Sequence, residues 1–379
     1  MKVPASGPEV KALAADLGFP FAAFTAIHPA AEDAAFLERW VAEGKAAGMG
    51  WLSREPARRG NPANLLAGAR TLISLGVPYA GETLPPRPAE PVGRVARYAW
   101  GLDYHGTIQD RLEKFRGELV RRYGPDVAAR PAVDIEPLLE RAFARRAGLG
   151  FVGKNTNLIR PGAGSFLFLA DLLVNLELPP DPPVPQGCGE CRRCAEACPT
   201  GALNTDYSLD ARLCIAYHTI ENRGPIDRRL RARIGEWLFG CDLCQDACPY
   251  NARALDAQWP EFRPDRGPGA WISLREVLSL RTSEAFKKKF AGTSLLRAKR
   301  AGLVRNACLV AANGGWAREL MPALTDVLNR DADPVARGHA AWALRSGGVA
   351  ARRVLDHAGR AETAAAVRDE IAAALEAAA

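Results

Sequence analysis

Cys188-Gly189-Glu190-Cys191-Arg192-Arg193-Cys194-Ala195-Glu196-Ala197-Cys198-Pro199 decides how this chain is read. Its C-x2-C-x2-C-x3-C-P spacing is that of bacterial two-cluster ferredoxins, where thiolates hold iron–sulfur cubanes and the cysteine before proline crosses to the other cluster. A second run, Cys241, Cys244 and Cys248-Pro249, repeats the pattern with one member missing, because Leu238 stands where the first cysteine belongs. Cys214, between the runs, is the one nearby cysteine that can replace it. The expected ligand sets are therefore Cys188, Cys191, Cys194 and Cys248 for one [4Fe-4S] cluster, and Cys198, Cys214, Cys241 and Cys244 for the other. Two structural zinc sites would also use eight cysteines, but zinc leaves the x2-x2 triple and both C-x3-C-P endings unexplained. Disulfides do not suit a chain without a secretory signal. Cys308, the ninth, lies in an apolar helical pattern and reads as a small buried hydrophobe.

Outward from the cysteines, 379 residues are too many for a ferredoxin alone and suggest two or three domains. Residues 1–178 read as an α/β domain: Thr71 to Val77 is a buried strand, and Thr107 to Arg122 and Pro137 to Ala147 are helices. The proline-rich stretch from Pro179 to Pro185 is a stiff linker that opens a ferredoxin-like segment, 179–255. From 256 to 379 the chain becomes basic and helical. There Val304-Arg305, Ala336-Arg337 and Val367-Arg368 begin a weak internal repeat at offsets of 32 and 31 residues, which resembles short HEAT-like helices. Arginines recurring at one repeat position either meet phosphate or brace neighbouring repeats.

Lysine and arginine exceed aspartate and glutamate by 50 to 43, a modest hint of an anionic partner. Their distribution says more. Arg281, Lys287, Lys288, Lys289, Arg297, Lys299 and Arg300 face one acid, Glu284, and Arg228, Arg229, Arg231 and Arg233 form a second basic group. Such runs are either solvated faces or nucleic-acid contacts. No apolar run reaches membrane-spanning length, since Phe166 to Leu178 is broken by Asp171 and Asn175. With reduced cysteines and no export signal, the expected place is the cytoplasm.

The first domain has no G-x-G-x-x-G and no Walker loop. It does have polar residues in glycine-rich settings: Arg97-Tyr98-Ala99-Trp100-Gly101-Leu102-Asp103-Tyr104-His105, Val133-Asp134, and Gly148-Leu149-Gly150-Phe151-Val152-Gly153-Lys154-Asn155-Thr156. Singly they have plain readings, Asp134 as a helix cap, His105 as a satisfied histidine, Lys154 as a solvated lysine. Together with the eight cysteines, Tyr217-His218-Thr219-Ile220-Glu221-Asn222-Arg223-Gly224 and the helical tail, they make the chain resemble the epoxyqueuosine reductases over essentially its whole length. These are cobalamin-dependent iron–sulfur oxidoreductases of the last step of queuosine biosynthesis.

That resemblance implies a corrinoid in a first domain like that of reductive dehalogenases, reduced by a nearby cluster. Asp134 matches the family's proton donor. Lys154, Asn155, Thr156 and Arg97 match the cobalamin-holding region, as does Arg59 in Arg59-Gly60-Asn61-Pro62. A D-x-H-x-x-G motif is absent, because Ile108 follows Asp103-Tyr104-His105 where its glycine would stand, so no histidine ligand to cobalt is expected. The substrate implied is the modified wobble base of a tRNA with a GUN anticodon, splayed into the pocket. Tyr217, His218, Glu221 and Arg223 are the expected contacts near the base, and Lys287, Lys288, Lys289, Arg297, Lys299, Arg300 and Arg305 those to phosphate. A low-potential electron donor of unidentified nature and a monomeric state complete the expectation, with burial raising the Asp134 pKa so that it keeps its proton. The rival readings are a reductive dehalogenase, which would carry a twin-arginine leader, and a ferredoxin-type electron carrier, which would hold iron without cobalt.

Overall fold

In the computed structural model, which describes residues 5–80, 83–185 and 187–377, the apolar run around Ile73 forms the strand Thr71–Pro78, buried at every position. Phe21–Ala26 pairs with it on one side and Leu167–Val174 on the other, and Ala129–Ala132 lies beyond Leu167–Val174. All three pairings are antiparallel, so the α/β domain lacks the parallel crossovers that often accompany the term. The register sets Ser74 opposite Asp171, and Asp171 opposite Ala132. By the two-residue pleat, Ser74 and Asp171 share a face with Leu72 and Leu173. Helix Glu140–Arg146 covers that face, packing Ala142 and Phe143 against Leu72, Ala132 and Leu173.

The longest helix, Tyr104–Tyr123, buries Ile108, Leu112, Phe115 and Leu119, a stripe at three- and four-residue steps. Asp103 caps its start and Gly124, at φ 104°, ends it. The proline-rich stretch has a definite place as well. Asp181 accepts from Lys11 Nζ at 2.5 Å and from the Phe24 amide at 2.9 Å, and its own amide donates to the Phe24 carbonyl at 3.0 Å. An edge strand that would otherwise expose its backbone is thereby covered.

Those elements belong to a unit comprising Met1–Glu82, Leu102–Arg212 and Leu243–Arg263. Thr83–Gly101, Leu213–Asp242 and Pro264–Ala379 form another. The two units cut across the three consecutive segments expected from the sequence. A small sheet shows why: Val92–Val95 pairs in parallel with Trp237–Phe239 and antiparallel with Trp271–Ser273, drawing three distant segments into one core. Leu238, fully buried in this sheet, occupies the position where a cysteine is missing from the second run. The helices Lys299–Asn313, Pro334–Leu344 and Ala365–Ala377 carry the three repeats and pack each against the next, while Met321–Arg330 and Val349–Ala361 pack beside them. No described helix is long and apolar enough to cross a membrane.

Candidate functional site

Asp134 follows the strand Ala129–Ala132 and takes φ 56°, a left-handed conformation that aspartate tolerates better than most residues. Its neighbours hold it there. The Asp134 amide donates to Glu140 Oε1 at 2.7 Å, and the Val133 amide donates to Glu136 Oε2 at 3.1 Å. Asp134 is therefore no helix cap; the helix that follows starts after Leu139. Its side chain is 55% exposed, beside Ile135, whose apolar side chain is 75% exposed.

Two groups on the first turn of helix Tyr104–Tyr123 meet the Asp134 carboxylate. Tyr104 Oη donates to Oδ2 at 2.5 Å, and His105 Nε2 lies 3.2 Å from the same oxygen. The other ring nitrogen of His105 is 2.7 Å from Asp103 Oδ1, the atom that also caps the helix. Asp103 thus fixes the helix start and the imidazole together. Tyr104 is clamped flat between the His105 ring at 4.1 Å and Phe168 at 4.5 Å.

The electrostatics differ from the sequence expectation. Desolvation by the surrounding protein pushes the Asp134 carboxyl up even though half the side chain is exposed, but hydrogen bonds from His105 and Tyr104, with the charges of His105 and Arg141, outweigh it and hold the pKa below the ordinary value. Burial alone would pull His105 down, yet Asp103 and Asp134 carry it up to about 9. The raised pKa expected at Asp134 is therefore corrected: near neutrality the labile proton sits on His105 and Asp134 is a carboxylate. Behind them, burial raises Asp171 to about 7 against its 2.6 Å hydrogen bond from Ser74. Burial, and then the charges of Asp171 and Asp134, raise Glu140 well above the carboxylate range. Two such neighbours do not ionise together.

Lys154, Asn155 and Thr156 lie in the tight connection between the short strands Phe151–Val152 and Leu158–Ile159. Gly150 is required there, since a Cβ would lie 2.4 Å from the Ile159 carbonyl oxygen. Arg141 ties the connection to Asp134, donating to the Thr156 carbonyl at 2.7 Å while its charge acts on the Asp134 carboxylate. Asn155 is 3% exposed and its Nδ2 finds no hydrogen-bond partner among the described residues. Arg59 Nε is likewise buried without a partner there, the guanidinium lying 5.3 Å from the Trp51 ring. Arg97 falls in the other unit, its amide donating to Asp242 Oδ2 at 2.7 Å. Orphaned donors at Asn155 and Arg59 and an uncovered Ile135 suit a large amide-bearing apolar cofactor.

The first cysteine set is brought together. Cys188, Cys191, Cys194 and Cys248 are free thiols, and Cys188 and Cys248 pack with Phe151 and Ile159. Burial raises the Cys194 and Cys248 thiols, and the charges of Cys188 and Cys248 act on Cys194 as those of Cys188 and Cys191 act on Cys248. Four thiols within electrostatic reach of one another are of the donor type a cubane needs. In the second set, Cys198 is pushed up by burial and drawn further down by Thr200 and the amides of Ala202, Thr200 and Leu203. Cys214 precedes the helix Ile215–Ile220, whose Thr219 accepts from the Gly240 amide at 3.0 Å, next to Cys241. Cys244 lies on the turn Leu243–Asp246.

Among the basic candidates, two are corrected from phosphate contacts to internal supports. Arg305 is 1% exposed and donates to the carbonyls of His218, Asn222 and Gly224. Arg300 is buried against Asp331 at 2.7 Å and also donates to the Leu280 carbonyl. Arg337 and Arg368 brace the repeats in the same way, through the carbonyls of Asp331 and of Glu362 and Thr363. Lys289 pairs with Glu276, and Arg297 with Glu221. Arg223 donates to the carbonyls of Ile220, Arg297 and Ala298. His218 is buried, 3.2 Å from Asn222, with Tyr217 against its ring. Lys287, Lys288 and Lys299 are exposed and form no ion pair among the described residues. The sequence assigns His105 and Tyr104 no part at Asp134, where the structure brings both to Oδ2; the capping aspartate two positions before the histidine was the available signal.

Comparison with known proteins adds an independent line. Residues 187–251 match the family described as 4Fe-4S double cluster binding domain, and residues 59–135 that described as Epoxyqueuosine reductase QueG, DUF1730. The epoxyqueuosine reductase of Leadbetterella byssophila is 37% identical over 80% of this chain and 97% of its own. A crystal structure of an epoxyqueuosine reductase with an epoxyqueuosine-modified tRNA-Tyr stem loop has a TM-score of 0.90, at 30% identity and 98% of both chains. The Bacillus subtilis epoxyqueuosine reductase, with its catalytic loop swung out of the active site, has a TM-score of 0.89 at 30% identity over 98% of both chains.

Proposed function

This chain belongs to the epoxyqueuosine reductase family, and we propose that it reduces epoxyqueuosine to queuosine at the wobble position of a tRNA. The observation that carries the chemistry is the Asp134 carboxylate, whose Oδ2 is shared by Tyr104 and His105 beside the connection that also touches the first cysteine set. Cobalamin would be held by Asn155, Thr156, Arg59 and the apolar Ile135. The cubanes would be held by Cys188, Cys191, Cys194 and Cys248, and by Cys198, Cys214, Cys241 and Cys244. When bound, these groups supply low-valent cobalt able to reduce the strained ring and a path that refills it one electron at a time from a low-potential donor.

Turning an epoxide into an alkene and water consumes two electrons and two protons, and the protons are the protein's task. An alkoxide leaves poorly unless it is protonated as the C–O bond breaks. His105 holds one of these protons. Asp134, a carboxylate at rest and the exposed member of the pair, takes it from His105 Nε2 and passes it to the departing oxygen, and His105, reloaded from solvent, supplies the second by the same route. Asp103 holds the imidazole so that this nitrogen faces Asp134. Turnover should therefore be level through neutrality and fall as pH rises through about 9, where His105 loses its proton. The linked contribution to stability has the same sign, full below about pH 6.5 and lost on rising to about 9. His105→Gln should lower turnover about 100-fold and erase the alkaline limb. A limb unchanged in that variant would place the titrating group elsewhere.

The tRNA would be gripped by Lys287, Lys288, Lys289, Arg297 and Lys299 through phosphate, with Tyr217, His218, Glu221 and Arg223 near the extruded base. The stacked terminal helices, which we read as HEAT-like, begin at Lys299, and the other phosphate candidates lie on the helical segments just before them. We assign the cytoplasm, where tRNA and reduced cysteines coexist. Nucleosides of tRNA from a strain lacking this gene should accumulate epoxyqueuosine, restored to queuosine by the intact gene. Normal queuosine in the deletion strain would reject the assignment.

A further inference from the structure

Lys154 does something a solvated lysine or a plain cofactor contact does not. It is 8% exposed, and everything it touches belongs to the first cysteine loop or its surroundings. Its backbone amide donates to Cys188 Sγ at 3.3 Å. Its ammonium reaches over the same loop, donating to the Gly189 carbonyl at 2.7 Å and the Cys191 carbonyl at 3.2 Å, and lies 6.0 Å from the Tyr207 ring. Gly189, at φ 50°, turns its carbonyl toward the ammonium. The next residue, Asn155, keeps its buried, unpartnered amide nitrogen for another ligand. Adjacent positions on one rigid connection thus serve two different groups.

On the reading of Cys188, Cys191, Cys194 and Cys248 as a cubane ligand set, we propose that Lys154 is the positioning residue that clamps this loop and sets the reduction potential of its cluster. Cluster potentials follow net charge, hydrogen bonds to sulfur and solvent exposure. One-electron reduction adds negative charge to an already anionic cluster with four thiolates. A buried ammonium within its ligand loop, and an amide donating to a ligand sulfur, both favour the reduced form. Water that would screen the charge is kept out, because the side chain is buried. The clamp also ties the cluster loop to the connection bearing Asn155, so the donor and acceptor of an electron would be held by neighbouring residues.

The test uses the full-length protein with its clusters assembled, titrated anaerobically while cluster signals are followed by electron paramagnetic resonance. Eight irons per chain in the unmodified protein would establish two assembled [4Fe-4S] clusters independently of Lys154. Lys154→Gln keeps the length and a donor but removes the charge. The expected result is full iron content and one cluster midpoint moved negative by about a tenfold change in the reduction equilibrium, about 59 mV for one electron, the other midpoint unmoved. Lys154→Arg should return the moved midpoint toward its original value. Both midpoints unchanged in a fully loaded Lys154→Gln protein would overturn the proposal. Loss of half the iron in Lys154→Gln, with Lys154→Arg fully loaded at the unmodified potential, would confine the ammonium to assembly and overturn its potential-setting role.

Discussion

Asp134→Asn should cost about 100- to 10,000-fold in turnover, the range that a positioned general acid supplies, with iron content and tRNA affinity unchanged. The substitution is sterically quiet. Asparagine tolerates the φ of 56° that Asp134 adopts, and the amide bond to Glu140 Oε1 belongs to the backbone and survives. What disappears is the carboxylate between Tyr104 and His105. An amide cannot release a proton to an alkoxide, and His105 loses one of the two charges that raise it to about 9. The residual activity should therefore also lose its alkaline limb at lower pH than the parent. Single-turnover rates with epoxyqueuosine-bearing stem loop would measure this, and full turnover in the variant would remove Asp134 from the reaction.

The double 4Fe-4S cluster domain over 187–251 was legible in the sequence because ligand spacing is a local constraint: three thiols at x2 steps on one loop already surround one point. The strand at Thr71–Pro78 and the helix at Tyr104–Tyr123 were legible for a similar reason, through apolar runs and periodicity. Strand order was not. Nothing within Leu167–Val174 states that it lies between Thr71–Pro78 and Ala129–Ala132, yet that order sets Ser74, Asp171 and Ala132 side by side beneath the site. His105 reads as a satisfied histidine in the sequence because its contact with Asp134, 29 residues away, spans a helix start and a strand end. The pKa of Asp134 was misjudged on the same ground: burial was foreseeable, but the two donors that outweigh it were not. The basic tail shows the opposite error, since charge alone does not say which arginines face inward.

Arg305 decides between those two fates. Its guanidinium is charged at neutral pH although burial, joined by the Arg223 charge, pulls its pKa down to about 9. Every donor direction is used inside the fold, on the carbonyls of His218, Asn222 and Gly224 and on Asn306 Oδ1, 3.1 Å from Nε. Asn306 in turn donates to the carbonyls of Thr219 and Leu238 at 2.8 and 2.9 Å. Removing the guanidinium strands several buried acceptors at once, each costing about 1–3 kcal/mol and not additively. Arg305→Ala should therefore destabilise the protein by about 3–5 kcal/mol, read as a lowered thermal midpoint, because the segment carrying Tyr217 to Arg223 loses its anchor. Whatever protein remains folded should bind tRNA with an unchanged salt slope. Lys287→Ala with Lys288→Ala should do the converse, leaving the midpoint alone and reducing the slope by about one for each lysine that meets a phosphate. A stable Arg305→Ala protein with a reduced slope would return Arg305 to the nucleic-acid surface, since a buried brace has no phosphate contact to lose.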